Sequence, residues 1–214
     1  MRFGQWMDRL EQKYRRYAIS NLMMYVVVAM AAVFVLDMLM PVNLTSYLVF
    51  SKAAILRGQI WRLVTFMFLP PNSSIFWILF ALYFYWMIGS SLENQWGSFK
   101  FNMYYLFGMI GSILSGMITG YATNSYLNLS LFLAFALLYP NVEVYVFFVL
   151  PVKVKYLAWI DAAGLLLSFV MGTMHTRIAL AMALLNLLLF FGGDMIQRIK
   201  SAYRRYKWKQ SFRD

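Results

Sequence analysis

The chain has 214 residues, of which 62% are hydrophobic, 19% aromatic and only 13% charged, whereas a soluble domain carries roughly a quarter charged residues. One soluble core of this length has nowhere to hide so much apolar surface, so lipid must be the solvent for much of it. The absence of cysteine and the single histidine exclude disulfides, thiolate or multi-histidine metal sites and cysteine nucleophiles, and no cofactor is expected.

The net charge is +11. It does not point to nucleic acid, because the basic residues cluster beside apolar runs, where they set topology and attract anionic headgroups. Residues 1–17 form a basic tail holding Arg2, Arg9, Lys13, Arg15 and Arg16. No small-residue cleavage site closes the apolar run that follows, so Ala18–Met40 reads as an uncleaved first span.

Crossing a hydrocarbon core of about 30 Å takes about 20 apolar residues. By that ruler the later spans are Ser74–Leu92, Phe101–Tyr121, a short Tyr126–Pro140, Tyr156–Gly172 and Ile178–Met195. Before the second span lies a long loop, Pro41–Asn72. Its apolar residues recur at near-helical intervals around Lys52, Arg57 and Arg62, as expected of segments lying in the headgroup plane. Pro70-Pro71-Asn72 ends it. A second half-buried stretch, Val144–Val154, is broken by Pro151.

Six spans put both basic tails on one side with Lys100, Lys153 and Lys155. Fifteen basic residues then face that side and four, Lys52, Arg57, Arg62 and Arg177, the other. The positive-inside rule makes the rich side cytosolic. The expected organisation is a six-helix membrane domain over 18–196, between cytosolic basic tails over 1–17 and 197–214. Its expected location is the cell membrane in a prokaryote, with the endoplasmic reticulum open in a eukaryote.

Span three carries Gly108, Ser112, Gly116 and Gly120 at four-residue steps. Such a stripe lets a neighbouring backbone approach closely, and it reads as packing within the bundle rather than as a sliding seam. Gly164, Ser168 and Gly172 repeat the pattern in span five. Polar groups within spans are functional candidates by default. Asn186 reads as an interhelical anchor. Asp161 reads as paired with a cytosolic lysine or capped by a polar neighbour, with cation binding or proton relay as the alternative. Glu93 sits at a span end within reach of headgroup water. Asn124, Ser125, Asn128 and Ser130 form a polar patch at the outer half of span four. Ser125 and His175 fall on one side of the membrane, as a catalytic pair requires. Catalysis further demands hydrogen-bonding distance and oxyanion donors, and an exposed turn histidine is ordinarily just solvated.

These features together resemble the rhomboid-like superfamily, which includes rhomboid intramembrane serine proteases, inactive rhomboids and derlins. The resemblance is carried by Trp61-Arg62 in the first outer loop, and by Glu93 followed by Trp96-Gly97-Ser98, Phe101 and Tyr104-Tyr105. It continues through Phe135-Ala136-Leu137-Leu138-Tyr139-Pro140-Asn141 and Phe147–Ile160. It is good over Gly58–Ile160 and topological for spans one and six. It implies an all-α membrane protein, a six-transmembrane-helix rhomboid-like bundle with an interfacial first outer loop.

Active rhomboids have Gly-x-Ser-Gly at the start of span four and a histidine inside span six. Here the motif falls on Thr123-Asn124-Ser125-Tyr126, or on Asn128-Leu129-Ser130-Leu131, and both glycines are missing either way. Span six offers Ala179, Ala181, Ala183 and Asn186, while His175 precedes it. Trp77 and Ala81 stand where the family has polar groups in span two. A serine without a base stays protonated and weakly nucleophilic. The resemblance therefore implies a pseudoprotease, whose expected partners are transmembrane segments of client proteins, to be stabilised, retained or subjected to quality control. The client surfaces would be the cleft between spans two and five and the polar patch. The alternatives are a rhomboid serine protease with a divergent active site, a transporter and a scaffold. The short fourth span would additionally thin the lipid beside it.

Overall fold

The structure, a computed structural model, describes residues 3–41, 43–71, 74–146 and 150–191. The basic tail over 197–214 and the last residues assigned to the sixth span lie outside them. Among the described residues five helices are long and apolar enough to cross a membrane: α2 (Leu22–Leu39), α6 (Ile75–Trp96), α7 (Ser98–Thr119), α9 (Val154–Met171) and α10, whose described part is Met174–Phe191. A shorter apolar helix, α8 (Ser125–Leu138), stands among them. This is an all-α, multi-pass integral membrane protein, and each expected span overlaps one of these helices, with described ends no more than four residues apart.

α8 is as short as expected. With 14 residues it rises about 21 Å. Leu127, Asn128, Ser130, Leu131, Phe132, Ala134, Phe135 and Ala136 are nevertheless buried, so α8 is the interior helix of the bundle.

The polypeptide before α2 is more than a charged tail. Phe3–Tyr14 forms helix α1, with Met7 3% exposed. Lys100, at the start of α7, bonds Asp8 at 2.9 Å and Glu11 at 3.4 Å, clamping α1 to that end of the bundle. Glu93 is buried there at 7% exposure, which corrects its expected contact with headgroup water. Its Oε1 accepts from the Asn21 N–H at 2.7 Å and from Ser98 Oγ at 2.6 Å. One carboxylate thus ties the start of α2 to the turn between α6 and α7. Asn21 caps α2 in a left-handed conformation, φ 57°, which asparagine tolerates better than most residues. Gly97, at φ 83°, turns the backbone between the two long helices where a side chain would be strained.

The stretch Val144–Val154 is a correction of another kind. With Glu143 it forms an antiparallel strand pair, β1 (Glu143–Val146) and β2 (Leu150–Lys153), pairing Glu143 with Lys153 and Tyr145 with Pro151. Proline is tolerated because each strand of a two-stranded ribbon has a free edge. Residues 147–149 lie outside the described set.

At the opposite end, the loop before α6 folds into three short helices, α3 (Leu44–Leu48), α4 (Lys52–Leu56) and α5 (Arg62–Thr65). Phe50 and Phe66 are buried and meet edge to face at 5.5 Å, while Leu56, Ile60 and Trp61 remain exposed. This is the half-burial expected of a headgroup-level segment. Toward the Glu93 end, Trp96, Tyr104, Phe190 and Phe191 interlock α6, α7 and α10 at ring separations of 5.0 to 5.4 Å.

The glycine stripe of α7 divides by role. A Cβ on Gly108 would collide with Leu127 of α8 and come within 3.0 Å of Asn186. One on Gly116 would lie 2.6 Å from Phe50. Both glycines permit close packing. Ser112 donates back to the Gly108 carbonyl at 3.0 Å, and Gly120 caps the helix at φ 92° with open space around it. The repeat in α9 does not pack in this way. Gly164 has no neighbour within 4 Å of a built Cβ, and Gly172 lies against its own helix and Thr176.

Candidate functional site

Trp61 and Arg62 fix the loop rather than present chemistry. Arg62, 7% exposed, donates from Nε to Gln59 Oε1 at 2.7 Å and from one terminal nitrogen to the carbonyls of Ser46 at 2.9 Å and Val49 at 2.7 Å. The guanidinium thereby satisfies the end of α3, where a cation is favoured. Trp61 Nε1 donates to the Tyr47 carbonyl at 3.3 Å. Asp37, in the last turn of α2, holds the other end of α3 by accepting from the Thr45 amide and hydroxyl at 3.0 and 3.1 Å. Asp37 was legible as the one charge in its apolar run.

The polar patch of α8 splits in two. Asn124 is buried and its Nδ2 donates to the carbonyls of Met67 and Leu69 at 3.1 and 2.8 Å, tying the loop to α8. Ser130 accepts from the Tyr104 hydroxyl at 3.0 Å and donates to the Leu127 carbonyl at 2.8 Å. Asn186 Nδ2 donates to the Tyr104 carbonyl at 3.2 Å. These three residues join α7, α8, α10 and the loop, and they do not face the cleft.

Ser125 and Asn128 do. With Leu129 and Phe132 they lie at steps of three and four, one face of α8. Trp77, Phe80, Ala81 and Phe84 do the same on α6. Between these faces and α9 lies an open cleft of about 450 Å³, lined also by Pro71, Tyr85 and Asp161. A volume of this size suits a sizeable apolar guest. Its walls are aromatic and its polar groups few. Asn128 lies close to Tyr85, yet its Oδ1 is buried without a donor among the described residues. Among the described residues no lysine pairs with Asp161, where a lysine or a capping polar neighbour was expected. Lys155 lies instead over the Tyr156 ring, 5.1 Å from its centroid.

The Ser125 hydroxyl lies 2.9 Å from Thr123 Oγ1. Its residue and His175 are both exposed, and no hydrogen bond joins them among the described residues. The arrangement supplies an amphipathic slot in the plane of the helices rather than an assembled acyl-transfer site.

A model of the Der1-like family matches residues 17–199. The chain belongs to the Der1-like family. This is the family of the derlins, rhomboid-like membrane proteins, and the match takes in every spanning helix and the loop pinned by Arg62. Comparison with curated proteins finds no match. For a Der1-like protein the cleft is the feature that sequence reasoning located only by analogy. The signal that could have outlined it directly is the i, i+3, i+4, i+7 face of Ser125, Asn128, Leu129 and Phe132.

Proposed function

We propose that this Der1-like protein receives transmembrane segments of client proteins laterally, in the cleft between α6 and α9, and stabilises, retains or delivers them without cutting them. The observation carrying this reading is the open, aromatic-walled cleft of about 450 Å³ with α8 as its floor. Aromatic walls offer contact area to an apolar helix. Ser125 and Asn128 offer hydrogen bonds that acquire value where water is scarce. The non-catalytic part rests on two features: Ser125 is engaged with Thr123, and the described part of α10 carries histidine only at its exposed second residue. On this reading both termini lie in the cytosol, which the positive charge beside the spans supports, and that charge draws the protein to anionic headgroups. Quality control of membrane proteins is the role such lateral capture would serve.

The test is photocrosslinking of a tryptophan-flanked polyleucine transmembrane peptide in nanodiscs. A benzophenone amino acid in place of Leu129, inside the cleft, should capture the peptide. The same probe at Leu166, 68% exposed on α9, should capture mainly lipid. Equal capture at the two positions would overturn the reading. A fluorophosphonate probe should leave the protein unlabelled, and labelling abolished by Ser125→Ala would overturn its non-catalytic part.

A further inference from the structure

Asp161 is unexplained by packing. It lies seven residues past Val154, the first residue of α9, a rise of about 10 Å into the helix. An ionisable group inside a spanning helix is costly and rarely without purpose. Its side chain lines the cleft, and no hydrogen bond or ion pair engages it among the described residues. The described ion pairs belong to Lys100. Trp77, Phe80, Phe84 and Phe132 line the same cleft, with Asn128 as a neutral member.

We infer that Asp161 is a selectivity determinant for client segments, and that the cleft favours transmembrane helices carrying an arginine or lysine near mid-membrane. The inference rests on the cleft receiving client segments and adds which ones. Charge complementarity carries it. A cationic helix crossing the bilayer bears the same kind of cost as an unpaired carboxylate, and each relieves the other when they meet. The aromatic walls reinforce the choice of sign, because ring faces attract cations and repel anions. A wholly apolar segment would use the walls alone and leave the carboxylate unmatched.

The experiment uses the full chain in nanodiscs with the crosslinker at Leu129 and three peptides: polyleucine, and the same sequence with one central arginine or one central glutamate. The arginine peptide should be captured about threefold to tenfold better than polyleucine, the range an interhelical polar contact supports in lipid. Asp161→Asn, nearly isosteric, should abolish that preference while still capturing polyleucine, which also shows that the cleft has formed. Asp161→Lys should transfer the preference to the glutamate peptide. An arginine preference that survives Asp161→Asn, or the lack of any preference in the unaltered protein, overturns the inference and leaves the capture reading standing. Failure to capture any peptide overturns both.

Discussion

Arg62 shows how one side chain can hold a segment that has little regular structure of its own. Three carbonyl or amide oxygens accept from it at 2.7 to 2.9 Å, and two of them belong to the end of a helix of five residues. Such a helix is too short to persist alone, so its stability is borrowed from this fork. Lysine keeps the charge but has no planar fork to reach the separated acceptors. Arg62→Lys is therefore expected to destabilise the protein by about 1–2 kcal/mol and Arg62→Ala by about 2–4 kcal/mol, since buried acceptors lose a charged donor. Thermal unfolding in detergent checks the order. Cleavage by an added protease should begin within 43–57, at the helices that Arg62 holds. Equal stability of the three proteins would mean the bonds are incidental. Trp61 was legible as part of a pair with Arg62, but what the pair grips was not, because backbone carbonyls leave no trace in a sequence.

At the scale of elements, apolar length located every spanning helix, since the cost of an unsatisfied backbone in lipid permits few alternatives. What escaped was amphipathic or two-sided. The first tail reads as charge because Arg and Lys dominate it, yet Met7 provides a buried contact and Asp8 and Glu11 hold Lys100. The strand pair escaped because Pro151 argues against a strand unless that strand lies at an edge. Spacing alone also made Gly108 of α7 and Gly164 of α9 look alike, when their surroundings are opposite. Gly108→Ala pushes a methyl group into Leu127 and toward Asn186, so it should cost about 1–3 kcal/mol as an overpacked core does. Gly164→Ala meets open space and removes a poor helix former, so it should be neutral or stabilising by up to about 1 kcal/mol. Parallel unfolding curves of the two variants decide this, and similar losses in both would mean that α9 is as tightly packed as α7.

On the scale of the whole molecule, α8 is short and largely buried while the other spanning helices are longer, and it holds Asn128 and Ser130 inside the protein. Asn128, Ser125 and Asp161 share one open cleft, so water drawn by them should enter there and not along the outer surface of α9. The chain contains no cysteine, so single cysteines can report water contact without first altering the protein. Ala81→Cys and Leu129→Cys line the cleft and should react with a membrane-impermeant maleimide. Leu166→Cys, although 68% exposed, faces hydrocarbon and should stay unmodified until the bilayer is dissolved. In sealed vesicles of known orientation, Arg57→Cys in the loop should react only from the side opposite the basic tails, as the charge distribution requires. Reaction at Leu166 as fast as at Leu129 would mean that water surrounds α9 generally. The cleft would then lose its standing as a distinct polar slot, and the cost that makes an unpaired Asp161 informative would disappear with it.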